Sequence, residues 1–175
     1  ESGSLTSRGL IETLAKEASL VLVLEPGMVD GAVKTWRKGV GEFTVVVKGR
    51  AAHAGGDHQK GRNAIEEIAR QVLVIQGMTD YEKETTLNVG VIQGGIASNV
   101  VPDEARIEVD MRVMQPEEAE RISAAMHDLK PTQPDTTISI SGGLNRPPMP
   151  YSEVIKATFE QVRDIGRKHG IDLKR

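Results

Sequence analysis

The segment Ala105 to Val113, ARIEVDMRV, alternates apolar and charged residues almost without a break. Ile107, Val109, Met111 and Val113 fall on one side of an extended chain; Arg106, Glu108, Asp110 and Arg112 fall on the other. Successive side chains of a strand point to opposite faces, so this is the period of a strand with one face buried and one in water. One-sided burial is a property of antiparallel sheets, because strands in parallel sheets are covered on both faces and read as continuous apolar runs. A chain containing this segment is committed to a layered arrangement: an antiparallel sheet, an apolar cover on one side, and an open polar face.

The flanking segments complete that arrangement. Val40 to Lys48 is rich in β-branched residues and predicts a strand, as do Thr85 to Gln93 and Thr136 to Ser141. Arg62 to Gln76 predicts a helix with Ile65, Ile68, Val72 and Ile75 in a buried stripe. Pro116 marks a second helix start, with Ala119, Ile122, Met126 and Leu129 as its apolar stripe. The order is β-α-β-β-α-β over residues 37–145, which predicts an α+β, ferredoxin-like fold: a four-stranded antiparallel sheet with two helices on one face.

The remaining segments have a different character. Residues 1–18 predict a loop running into a helix capped by Ser4 or Thr6, with Leu10, Ile11, Leu14 and Ala18 on one face. Ser19 to Leu24, SLVLVL, predicts a strand buried on both faces, ended by Glu25 and Pro26. Tyr151 to His169 predicts a helix carrying Ile155, Phe159 and Val162 inward and stopped by Gly170. The expected division is therefore a domain at 37–147 inserted between two pieces, 1–36 and 148–175, of a larger α/β domain. Both outer pieces are too short to form a sheet, so the chain reads as part of a longer protein.

Composition narrows the function. A net charge of −3 speaks against a nucleic-acid surface, and no apolar run is long enough to span a membrane. Zero Cys excludes disulfides and thiolate metal sites, leaving His and carboxylates as the side chains able to bind a metal.

Chemistry-bearing residues gather in a few places. Lys48 to Asn63, KGRAAHAGGDHQKGRN, joins a strand to a helix with far more residues than such a connection needs, and it carries His53, His58 and a Gly-Gly pair. Each candidate has a functional and an ordinary reading. Glu1 and Glu25 flank a helix–strand unit that brings both carboxylates to one sheet edge, as metal ligands or as surface carboxylates. His53 at the strand end is a hydrogen-bond donor to a developing oxyanion or an exposed loop histidine, and His58 is solvated. Asn99, ahead of Val100-Val101-Pro102, is a fixed binding group or a turn residue satisfying local backbone. Arg112, on the polar face of its strand, grips a substrate carboxylate bidentately or pairs with Asp110 or Glu108.

Taken together, ESGSLTSR at 1–8, VLEP at 23–26, GRAAHAG at 49–55, GGIASNVVPDEA at 94–105 and EVDMRV at 108–113 resemble the zinc-dependent metallopeptidases and amidohydrolases related to glutamate carboxypeptidase, acetylornithine deacetylase, succinyl-diaminopimelate desuccinylase and peptidase T. The resemblance runs through essentially the whole chain and is nearest to the glutamate carboxypeptidase branch. It implies a two-zinc catalytic domain with an inserted lid, or dimerisation, domain of the ferredoxin-like kind. Glu1 would then be a zinc ligand, with the general base one residue upstream, and Glu25 a ligand to the other zinc. His53 would reach across a homodimer to the partner's substrate, while Asn99 and Arg112 hold the substrate's carboxylate end. The implied reaction is hydrolysis of the amide bond next to a C-terminal amino acid in a small peptide or N-acyl amino acid, with glutamate the expected leaving residue. Residues 1–175 alone would be inactive, because the base and the remaining metal ligands are not among them. The alternative is a non-catalytic ferredoxin-like module for dimerisation or small-molecule binding.

Overall fold

The computed structural model describes residues 6–23 and 28–175. The chain forms two compact units, Arg37–Pro150 and, separately, Glu1–Trp36 with Tyr151–Arg175. No helix among the described residues is long and apolar enough to cross a membrane.

In the larger unit, the alternating segment becomes the strand Glu104–Val113. With the short pieces included, the order is β1 (Gly39–Lys48), β2 (Ala52–His53), α2 (Ala64–Gln76), β3 (Thr86–Gly94), β4 (Val100–Val101), β5 (Glu104–Val113), α3 (Pro116–His127) and β6 (Thr137–Arg146). Four strands make one sheet in the order β3-β5-β1-β6, with every pairing antiparallel. This is an α+β, ferredoxin-like sheet, as the sequence predicts. Every apolar residue of the β5 alternation is buried, and Arg106, Glu108 and Arg112 are exposed on the opposite face. The core fills the space between the sheet and its two helices: Phe43, Val45 and Val47 from β1, Ile107, Val109 and Met111 from β5, Ile68 and Ile75 from α2, Ile122 and Met126 from α3. With so few aromatics, this core rests on interlocked aliphatic side chains; burying each one fully contributes about 1.5–3 kcal/mol.

Helix ends follow local chemistry. Asn63 caps α2 by accepting from the Glu66 N–H at 3.1 Å, so the helix begins two residues later than its sequence pattern predicts. The α2 stripe is also rotated from expectation. Ile68 and Ile75 are buried, but Ile65 is 38% exposed, and Glu67 and Gln71 take its place in the interior. The last strand is longer than predicted. Beyond Ser141, where the predicted strand ends, β6 runs on to Arg146 and pairs it with Val40 at the start of β1. Gly142 makes this possible with φ +108, a conformation open to glycine, at a position where a Cβ would collide with the Glu42 carbonyl.

The smaller unit holds α1 (Arg8–Glu17) and α4 (Glu153–Lys168). Ser152 caps α4 by accepting from the Ile155 N–H, and Phe159 is its buried residue. Gly170 ends the helix at φ +75, donating to the Arg167 carbonyl while Ile171 donates to that of Gly166. The strand predicted for Ser19 to Leu24 is not formed over 19–23. Leu20 to Val23 are 51–71% exposed there, as are Leu10 and Leu14 of α1 at 66% and 57%. A strand covered on both faces needs neighbouring strands for its backbone groups; among the described residues none pairs with this segment.

Candidate functional site

β1 is a central strand, and its last residue, Lys48, pairs with Glu104 at the start of β5. The chain then leaves the sheet in a closed loop. Arg50 and Arg62 exchange two backbone hydrogen bonds, at 3.0 and 2.9 Å, and so close the loop on itself before α2 begins. Gly49 at its neck has no room for a side chain, since a Cβ would strike the Arg62 carbonyl. Within the loop, β2 pairs with β4, His53 opposite Val100 and Ala52 opposite Val101. The Ala54 N–H donates to the Asn99 carbonyl at 3.0 Å, and the Ala64 N–H to that of Pro102 at 2.9 Å. Val101, 4% exposed, anchors this two-stranded ladder.

The ladder brings His53 and Asn99 together at one end of the sheet, both exposed. His53 is oriented by its own loop, because Nδ1 accepts from the Gly55 and Gly56 N–H groups, each at 3.1 Å. A nitrogen that accepts carries no proton, so the neutral ring bears its hydrogen on Nε2. That Nε2–H is a donor held in a fixed direction, the kind of group that stabilises negative charge developing on a carbonyl oxygen. Gly55 lies close enough that a Cβ would approach the imidazole Cε1 at 3.3 Å. The Gly-Gly pair beside the histidine was the sequence signal for this arrangement. His58 opens the exposed 3-10 turn His58–Lys60.

Arg112 lies elsewhere. It pairs with Val40 at the far end of β1; the eight positions from Glu104 to Arg112 place it about 26 Å along the sheet from the His53 end, at roughly 3.3 Å per residue. Its Nε and one terminal nitrogen both donate to Asp110, at 2.8 Å each, so its fork is occupied within the chain. The Asp110 hydrogen bonds hold its pKa above the ordinary value. Glu1 and Glu25 lie outside the described residues. Among the described residues, no group of three or more His, Asp or Glu side chains could hold a metal ion; those residues do not supply a metal centre.

Two features had no signal in the sequence. Asp135 pairs with Arg62 at 2.8 Å across 73 positions of chain, and Glu67 is buried at 0% exposure while accepting four hydrogen bonds.

An antiparallel sheet backed by two helices, with β3 and β6 as its two edges and a histidine on a stapled loop, is the arrangement the larger unit presents. Residues 35–134 match the peptidase dimerisation domain, and the chain belongs to that family. It is 33% identical over 131 residues to Carboxypeptidase G2 of Pseudomonas sp. (strain RS-16), an alignment covering 74% of this chain and 31% of that protein. Its fold is similar to the crystal structure of the aminopeptidase PepT from Bacillus cereus, with a TM-score of 0.64 at 20% identity over 82% of this chain and 39% of that one. It is also similar to an aminobenzoyl-glutamate utilization protein from Klebsiella pneumoniae, with a TM-score of 0.54 at 26% identity over 81% and 37%. The chain spans about a third of the length of these relatives.

Proposed function

We propose that this chain is the dimerising lid of a zinc-dependent carboxypeptidase or N-acyl-amino-acid amidohydrolase that hydrolyses the amide bond next to a C-terminal amino acid, glutamate being the residue suggested by the carboxypeptidase relatives. The observation that carries the reading is the fixed Nε2–H of His53, a donor aimed out of a rigid loop beside Asn99. Amide hydrolysis passes through a tetrahedral oxyanion, and a preorganised donor lowers that barrier without reorganising during the reaction. Zinc supplies an activated water when bound; Glu1 and Glu25 are its expected ligands from this chain, the others coming from the rest of the enzyme.

The separation of the candidates supports a site shared between two copies. His53 with Asn99 and the distant Arg112 lie too far apart to grip one small substrate from the same chain. In a homodimer, one copy's His53 end can close over a substrate whose carboxylate meets the other copy's Arg112, which would exchange Asp110 for the ligand. Of the two edges of the sheet, β3 and β6, the β3 edge supports the same assembly. β3 is an edge strand, with Ile92 57% exposed, and Ile96, Ile65 and Leu73 extend the apolar surface onto its loop and α2. An unpaired apolar edge is a template for pairing with a second copy.

The test is hydrolysis of a panel of dipeptides and N-acyl amino acids by the full-length zinc-loaded enzyme and its His53→Ala variant. Loss of one oxyanion donor should lower kcat by about 10²–10³-fold with the dimer intact. Equal rates for both proteins would remove His53 from the reaction.

A further inference from the structure

The loop that carries His53 is tied to a distant part of the chain through one carboxylate. At its neck, Arg50 and Arg62 face each other across the backbone bridge, and each guanidinium turns back onto the loop. Arg50 Nε donates to the Lys60 carbonyl at 2.7 Å, and Arg62 donates to the Gly61 and Gln59 carbonyls at 2.7 and 3.3 Å. Two adjacent cations repel, and Asp135 sits between them, 2.8 Å from Arg62 and 3.8 Å from Arg50. Asp135 is itself held in place. It adopts φ +58, a left-handed conformation tolerated by Asp and Asn, at the end of a loop pinned to α2 by the buried Glu67. One Glu67 oxygen accepts from the Thr132 N–H at 3.0 Å and the other from the Gln133 N–H at 2.8 Å, while the Thr136 hydroxyl donates to the Gln133 carbonyl at 2.6 Å. Glu67 lies in the first turn of α2, and Arg62 immediately precedes the cap of that turn, Asn63. Both halves of the ion pair are thereby referred to the same first turn of α2.

We propose that Asp135 is a positioning residue for His53: by neutralising Arg50 and Arg62 it keeps the loop closed, and so keeps the Gly55 and Gly56 N–H groups on Nδ1 and the proton on Nε2. This inference rests on the reading of His53 as the oxyanion donor, and its test separates the two. Asp135→Asn and Asp135→Gly remove the carboxylate while keeping a residue that accepts the left-handed backbone. In the full chain, the ring nitrogen resonances of His53 report the tautomer, and saturation transfer from water reports solvent exchange at the Gly55 and Gly56 amides. Either variant should give mixed tautomers and raise that exchange by up to about fivefold. Asp128→Asn, which removes an exposed partner of Lys130 on the same connection, should leave both readouts unchanged. Unaltered resonances and exchange in both Asp135 variants would overturn the positioning role, whatever their activity. If the resonances shift as expected while the full-length enzyme hydrolyses its substrates at the same kcat, the brace stands and the catalytic reading of His53 falls.

Discussion

Glu118, in the first turn of α3, shows how a single side chain ties elements together. It is 7% exposed and accepts from Arg121 at 2.9 and 2.6 Å, from the Thr85 hydroxyl at 3.0 Å and from Lys83 at 3.3 Å. The Arg121 hydrogen bonds, opposed by burial and aided by Thr85 and Lys83, hold its carboxyl down at about 2 instead of the ordinary 4.5. A carboxylate whose pKa is lower in the folded state stabilises the fold above its unfolded value and loses that contribution as pH falls through the folded one. The shift corresponds to a contribution on the order of 3 kcal/mol at neutral pH. Glu118→Gln should therefore destabilise the chain in urea at pH 7, with the deficit shrinking as pH falls from 4.5 toward 2. A deficit that stays constant across that window would mean that ionisation of Glu118 contributes nothing. Glu67 is a contrasting case. Burial pushes its carboxyl up, but hydrogen bonds from the Thr132 backbone, Gln71, the Thr132 hydroxyl and the Gln133 backbone together bring it below the ordinary value.

Among the elements, β1 has the most consequences, because it is paired on both sides and runs directly into the His53 loop. Its exit at Gly49 is the narrowest point. Gly49→Ala would force apart the Arg50–Arg62 bridge, and overpacking of this kind costs about 1–3 kcal/mol. Thermal unfolding should show that loss together with faster exchange of the loop amides; an unchanged melting temperature would show that the neck can yield. The same strand shows which parts of the fold were legible in the sequence. β5 and its partners were readable because one-sided burial writes a period of two, and the helix order followed from longer stripes. β2 and β4 were not, since two residues carry no period and their pairing is set by the loops around them. Ile65 misled because an apolar residue at the flank of a helix fits the same spacing as one at its centre. The run at 19–23 misled because strand propensity is expressed only where neighbouring strands exist. His53 and Asn99 could be singled out and prove to be neighbours, whereas the Asp110 partnership of Arg112 was one of two open readings. Asp135 was invisible, since an ion pair across 73 positions leaves no local pattern.

At the scale of the whole molecule, the apolar edge formed by β3 and α2 is where the proposed pairing can be tested. In a two-fold interface every substitution acts twice. Burial of one large aliphatic side chain contributes about 1.5–3 kcal/mol, so Ile92→Lys should weaken the dimer by roughly 3–6 kcal/mol. Sedimentation should then show monomer at concentrations where the parent enzyme is paired, with hydrolysis falling in step; undiminished dimer in the variant would place the interface elsewhere. The larger unit has one more property of this kind. Arg37 and Met149 exchange backbone hydrogen bonds at 2.9 Å in both directions, so the two ends of a 37–150 span meet in a single seam. A body whose ends already touch behaves as a cassette. It can be gained, lost or exchanged at one surface loop without rethreading its host, and its termini could be joined by a short linker and reopened at another turn. In the function proposed above, such a seam would let one sheet-and-helix module serve different hosts, each altering its own pocket while inheriting the same means of pairing.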